Sequence, residues 1–176
     1  LELLEDRTFS WNFECLSENR GLPWSHELIK RYEDKWHWDV LSMNTSIPWS
    51  VDLLDAFDKK IDWEWLSSNS GLPWSLDLFE RYINKWDFAQ LSKNEGFPWS
   101  IGFIEEHRNQ LHWQHLSGNP SLPWSSELLE RYADRWLWMC GDADDLPLSV
   151  TLKGGISGNR GVPWTMDLLY HYRKNL

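Results

Sequence analysis

The sequence has only two cysteines, no apolar run approaching a membrane span, no basic-then-apolar leader pattern at its first residues, and fewer cations than acids. Each shortage narrows the function. Cys15 and Cys140 both take the fifth place of a repeat defined below but lie five repeats apart. In a linear stack they cannot reach the ~5.5 Å Cα separation of a disulfide, so both are expected as reduced, small apolar fillers. Without a span or a leader, the expectation is a cytoplasmic protein with no membrane contact. Lys and Arg number 17 against 27 Asp and Glu, a formal charge of -10. That balance argues against nucleic acid as a partner, because phosphate is neutralised by surplus cations.

What is present is a period. Pro-Trp-Ser begins at Pro23, Pro48, Pro73, Pro98 and Pro123, always 25 residues apart, and Pro-Trp-Thr begins at Pro163. From its first aromatic the unit reads W-x-[WF]-x-x-L-S-x-N-x-x-[LIFV]-P-W-[ST]-x-[ED]-L-[LIF]-x-x-[YFH], and fixed short self-similarity marks a repeat array. We expect one repeat domain over 1–176: a half-unit 1–10, units 11–35, 36–60, 61–85, 86–110, 111–135 and 136–175, the last with an insert at 141–155, and Leu176 opening a further unit. A 25-residue unit cannot bury a core alone, whereas stacked neighbours share one.

Two helices per unit follow from boundary chemistry. Ser25, Ser50, Ser75, Ser100, Ser125 and Thr165 stand at N-cap places, with an acid two residues later in five of the six units. In the third unit the apolar spacing predicts a longer helix of about eight to ten residues within Leu76 to Asn84. A shorter helix, as over Asp62 to Ser68, puts Trp63 and Leu66 on one face, and tertiary packing must hold anything so short. The following Asn is expected to end it in a left-handed conformation, and the Pro beyond prevents continuation. The fold class expected is an all-α solenoid of short helix pairs.

L-S-x-N followed by Leu-Pro echoes leucine-rich repeats, but five places before the Asn stand Glu14, Asp39, Glu64, Ala89, Gln114 and Met139. Spacings of three rather than two favour helix over strand. The motif W-x-W-x-x-L-S-x-N-x-x-x-P-W instead resembles tryptophan-rich tandem repeats of bacterial and giant-virus predicted proteins. The likeness spans nearly the whole chain except Gly141 to Gly155, and it implies a repeat array without implying an activity, substrate or cofactor.

The recurring signature residues are Trp24, Trp49, Trp74, Trp99, Trp124 and Trp164, with Asn19, Asn44, Asn69, Asn94, Asn119 and Asn159. Six identical placements suit packing and capping better than a ligand ladder or a nucleophile. His107, His112 and His115 have spacing that can hold zinc, yet no Cys or fourth ligand joins them, so packing or surface roles are expected. The insert GDADDLPLSVTLKGG supplies the candidate binding residues Asp142, Asp144, Asp145, Leu148, Val150 and Lys153. Its acids lack the Gly and distal Glu of an EF-hand, and Leu148 to Leu152 alternates like a short strand. No metal, cofactor or catalytic residue is assigned.

The leading functional expectation is a non-catalytic scaffold binding a protein or peptide. The second, fourth, fifth, eighth, tenth, sixteenth, twentieth and twenty-first places vary between units and are free to form a reading face. Glycan binding by exposed tryptophans, an enzyme around the histidines, and attachment to an enzyme in a longer chain are the alternatives.

Overall fold

The computed structural model describes residues 10–138 and 155–175. The chain divides into two compact units, Leu1–Asp87 and Phe88–Leu176. Among the described residues all regular structure is helical, which removes the leucine-rich alternative.

Within the first unit the elements are α1 (Phe13–Glu18), α2 (His26–Arg31), α3 (Trp38–Met43), α4 (Val51–Ala56), α5 (Trp63–Ser67) and α6 (Leu76–Arg81). The second holds α7 (Phe88–Leu91), α8 (Ile101–Glu106), α9 (Trp113–Gly118), α10 (Ser126–Arg131), a 3-10 turn at Ile156–Gly158 and α11 (Met166–Tyr172). Each repeat thus contributes a first helix near its start and a second helix after its Pro-Trp step. The second begins where its Ser or Thr cap bonds the N–H three residues on, as Ser75 does for Leu78 at 3.1 Å.

The second helices are shorter than their sequence pattern suggests: α6 has six residues, not eight to ten. At Tyr82 the backbone leaves helix, with φ -118° and ψ 28°. The turn belongs to the repeat, because Phe57 after α4 and His107 after α8 leave helix in the same way although Ile61 and Leu111 stand where Trp86 stands; in α6 the Trp86 indole N–H additionally donates to the Phe79 carbonyl at 2.9 Å. Trp36 does the same to Ile29 at 3.0 Å and Trp136 to Leu129 at 3.2 Å.

A second correction concerns the Asn that ends each first helix. Asn19, Asn44 and Asn119 are extended, with φ between -80° and -70° and ψ between 109° and 114°, rather than left-handed. Extended backbone lets Oδ1 accept the N–H two residues on, 2.9 Å from Ser46 in the case of Asn44, and frees the amide for a neighbouring repeat.

Stacking is closest at the loops. A Cβ on Gly71 would lie 2.5 Å from the Thr45 carbonyl oxygen, and one on Gly161 would run into that of Pro120. Glycine is needed there for close approach rather than for an unusual φ. Within each unit the core takes the sixth, eighteenth and nineteenth places of the repeat, represented in the first unit by Leu41, Leu54 and Leu66, each fully buried.

Candidate functional site

Ser and Asn side chains of successive repeats form a hydrogen-bond ladder. Ser42 Oγ donates to Trp38 O at 2.6 Å and accepts from Asp62 N of the next repeat at 3.1 Å. Asn69 Nδ2 donates back to Ser42 O at 2.7 Å and Asn44 O at 3.3 Å. The second unit repeats this, with Asn119 reaching Ser92 O and Asn94 O, each at 3.1 Å. Five of the six signature Asn side chains are buried, and Asn19 is exposed. The Ser-x-Asn pair is therefore engaged in joining repeats.

The signature tryptophans are anchored in the same way. Trp49, Trp99 and Trp124 are buried, while Trp24, Trp74 and Trp164 are half-buried. Trp24, Trp49, Trp74, Trp99 and Trp124 donate their indole N–H to the Asn carbonyl five residues earlier, as Trp74 does to Asn69 at 2.8 Å. Exposed tryptophans occur elsewhere, at Trp11 and Trp65.

The histidines have structural partners. His112 Nδ1 accepts the His115 N–H at the start of α9, the two rings stack at 3.9 Å, and His115 Nδ1 lies 3.0 Å from Ala89 O. His107 packs its ring on Phe88 and Phe103 and meets Gln110 through Nδ1 at 2.9 Å. No group of three or more potential metal ligands occurs among the described residues.

Asp142, Asp144, Asp145, Leu148, Val150 and Lys153 lie outside the described residues, as do Cys140 and the Leu148 to Leu152 stretch. The junction after the insert is described. Ile156 N donates to Leu137 O at 2.7 Å and Ser157 N to Trp138 O at 3.1 Å. Asn159 still bonds Ser117 O and Asn119 O, at 2.8 and 3.1 Å, so the ladder register survives.

One feature escapes a 25-residue reading: the period doubles at the end of the second helix. Tyr32, Tyr82 and Tyr132 follow Arg31, Arg81 and Arg131 and precede Trp36, Trp86 and Trp136, whereas Phe57 follows Ala56 and precedes Ile61. The alternation creates aromatic clusters: Trp86 meets Trp63 at 5.1 Å, Trp74 at 4.8 Å and Tyr82 at 6.1 Å. Trp136 meets Trp113, Trp124 and Tyr132 likewise. Comparing alternate units, rather than adjacent ones, would have exposed this signal.

The alternation also decides which grooves between second helices close. Between α4 and α6, Asp55 accepts from Tyr82 Oη at 2.6 Å and from Arg81 Nη2 at 2.7 Å. The Tyr82 hydroxyl bond is the largest influence holding the Asp55 carboxyl below its ordinary value, with Arg81 adding to it against a smaller effect of burial. Burial and Asp55 together raise the Tyr82 hydroxyl. Between α8 and α10 the Tyr132 hydroxyl bonds Glu105 in the equivalent way.

Between α2 and α4 neither closing residue exists, because Ala56 and Phe57 stand where Arg81 and Tyr82 stand one repeat later. A groove of about 190 Å³ remains, lined by His26, Lys30, Glu33, Asp52, Leu53, Ala56 and Phe57. Leu53 and Phe57 form a buried apolar floor, and Ala56 is exposed. Glu33 shares Lys60 with Asp34, at 3.5 and 2.6 Å, while Lys30 and Asp52 make no ion pair with a described residue. His26 Nε2 sits at the rim, 3.3 Å from Pro48 O and 3.1 Å from Ser50 Oγ.

No family model, curated protein or solved structure matches this chain. Its candidate site therefore rests on comparing the chain with itself, repeat against repeat.

Proposed function

We propose that this protein is a non-catalytic helical-repeat scaffold that binds a protein or peptide segment across the exposed faces of its second helices. The observation that carries this reading is the open α2–α4 groove, in which the variable sixteenth, twentieth and twenty-first places of the repeat supply His26, Lys30 and Ala56. The constant Ser, Asn and Trp residues are engaged between or within repeats, so variation at the groove leaves the frame intact. Among the described residues no helix is long and apolar enough to cross a membrane. Our reading keeps the protein cytoplasmic, where the exposed Cys15 thiol stays reduced.

Glycan stacking finds less support, because the signature indoles are buried or half-buried and five of them are hydrogen-bonded through their ring N–H. Titrating a random hexapeptide panel into ¹⁵N-labelled protein tests the scaffold reading. Saturable amide shifts concentrated on α2 and α4 are expected. Shifts produced by oligosaccharides and by no peptide would overturn it.

A further inference from the structure

We infer that the α2–α4 groove is a receptor for an arginine side chain presented by a peptide partner, an assignment that rests on the peptide-scaffold reading above. The molecule supplies two precedents at the same place of the repeat. Arg81 extends over the Tyr82 ring, 5.7 Å from its centroid, while its guanidinium reaches Asp55 across the groove. Arg131 bridges one turn back along its own helix to Glu127 at 2.7 Å.

In α4 both kinds of partner for a guanidinium are present, but the guanidinium itself is not. Asp52 stands one turn before Ala56, as Glu127 stands before Arg131, and Phe57 occupies the ring position of Tyr82. An arginine entering from a partner would lay its planar head on Phe57 and fork towards Asp52, with Glu33 on the far wall. Glu33 remains attractive because its only ion-pair partner among the described residues, Lys60, lies closer to Asp34. Leu53 and Ala56 would cover the methylene stem.

Charge complementarity also favours a cation. The lining carries two carboxylates, Glu33 and Asp52, against the single ammonium of Lys30. Lys30 is the opposing charge, standing where Asp55 stands one repeat later and exposed enough to swing aside. Its presence predicts modest affinity and offers a direct test.

The probes are N-acetyl-arginine amide and its uncharged isostere N-acetyl-citrulline amide, titrated into the ¹⁵N-labelled full chain while the amides of residues 52–57 are followed. We expect saturable shifts with arginine, a Kd on the order of 1–10 mM as befits one side chain, and at least fivefold weaker binding of citrulline. Lys30→Glu should tighten arginine binding roughly three- to tenfold, by restoring the acid found at Asp55. Ala56→Arg should abolish it by filling the groove with the chain's own guanidinium. Because Ala56 is exposed and arginine already stands at this place in three repeats, the variant should fold, and an unchanged thermal midpoint checks that it has.

Equal binding of citrulline, or an Ala56→Arg variant that binds as before, overturns the arginine assignment. If peptides without arginine occupy the α2–α4 face equally well, the scaffold reading stands and this inference falls. Should neither arginine nor any peptide of the panel move these amides, both fall together.

Discussion

The indole of Trp86, the first residue of its repeat, donates to the Phe79 carbonyl at 2.9 Å and so ties it to the second helix of the repeat before, which ends at Arg81. Replacing Trp86 with Leu, the residue Leu111 supplies at the same place, removes both that bond and the centre of a four-ring cluster. We expect a loss of about 2–4 kcal/mol in urea unfolding. Combined with Tyr82→Phe, to imitate the alternate repeats, the double variant should lose less than the sum, since the two rings touch. Strict additivity would show that the doubled period carries no energetic coupling.

The asparagine ladder makes a second prediction. Asn69 is buried and bonds two carbonyls of the preceding repeat as well as the Gly71 N–H. Asn69→Ala should cost about 2–4 kcal/mol, because several buried backbone groups lose a partner together. Asn69→Asp should be worse at neutral pH, as a carboxylate would face the carbonyls of Ser42 and Asn44 without donors. Chemical denaturation ranks the two, and the opposite order would contradict the ladder.

Trp49 and Trp74 share one place of the repeat but not one environment. Trp49 is 5% exposed and Trp74 is half-buried. Truncating Trp49 to Ala should cost about 3–5 kcal/mol, and Trp74→Ala clearly less. Equal losses would mean that ring burial is not what separates them.

Acid stability should report on Asp55. Its carboxyl is held below the ordinary 3.8, chiefly by the Tyr82 hydroxyl. The stabilisation is therefore present above that value and is lost as the pH falls through the lower, folded-state pKa. The thermal midpoints of the wild type and Tyr82→Phe should differ at pH 6 and converge as the pH drops below 3.8. At the alkaline end the raised Tyr82 hydroxyl stabilises the fold below its ordinary 10.0 and ceases to do so as the pH climbs through its folded-state value. The variant should lack that decline. Midpoints measured across both ranges check each sign.

Removing Gly141 to Gly155 joins Cys140 to Ile156, a residue whose N–H already bonds Leu137 O as a continuous helix would. The shortened protein should keep its fold with an equal or higher thermal midpoint, because a shorter connection between Cys140 and Ile156 lowers the entropy cost of closure. A fall of more than about 10 °C, several kcal/mol for a chain this size, would mean that the insert is structural.

The 25-residue period, the serine caps and the helical spacing were legible in the sequence because each is local: a cap bonds an N–H three residues away, and an apolar stripe repeats every turn. The same local reasoning overran α6, since the unbroken stretch runs past Arg81 while the backbone leaves helix at Tyr82. It also expected a left-handed Asn after each first helix, whereas Asn44 is extended and its amide is held by carbonyls 25 and 27 residues earlier. The α2–α4 groove was further out of reach. Ala56 and Phe57 read as ordinary variation until the stacked helices place them beside Lys30 and Glu33, at the position that Arg81 and Tyr82 fill one repeat later. By itself the sequence determined the repeat and its helices, because those depend on neighbours along the chain. Which amide bridges which repeat and which groove stays open were decided by the tertiary structure alone, because those depend on side chains a full repeat apart meeting between stacked repeats.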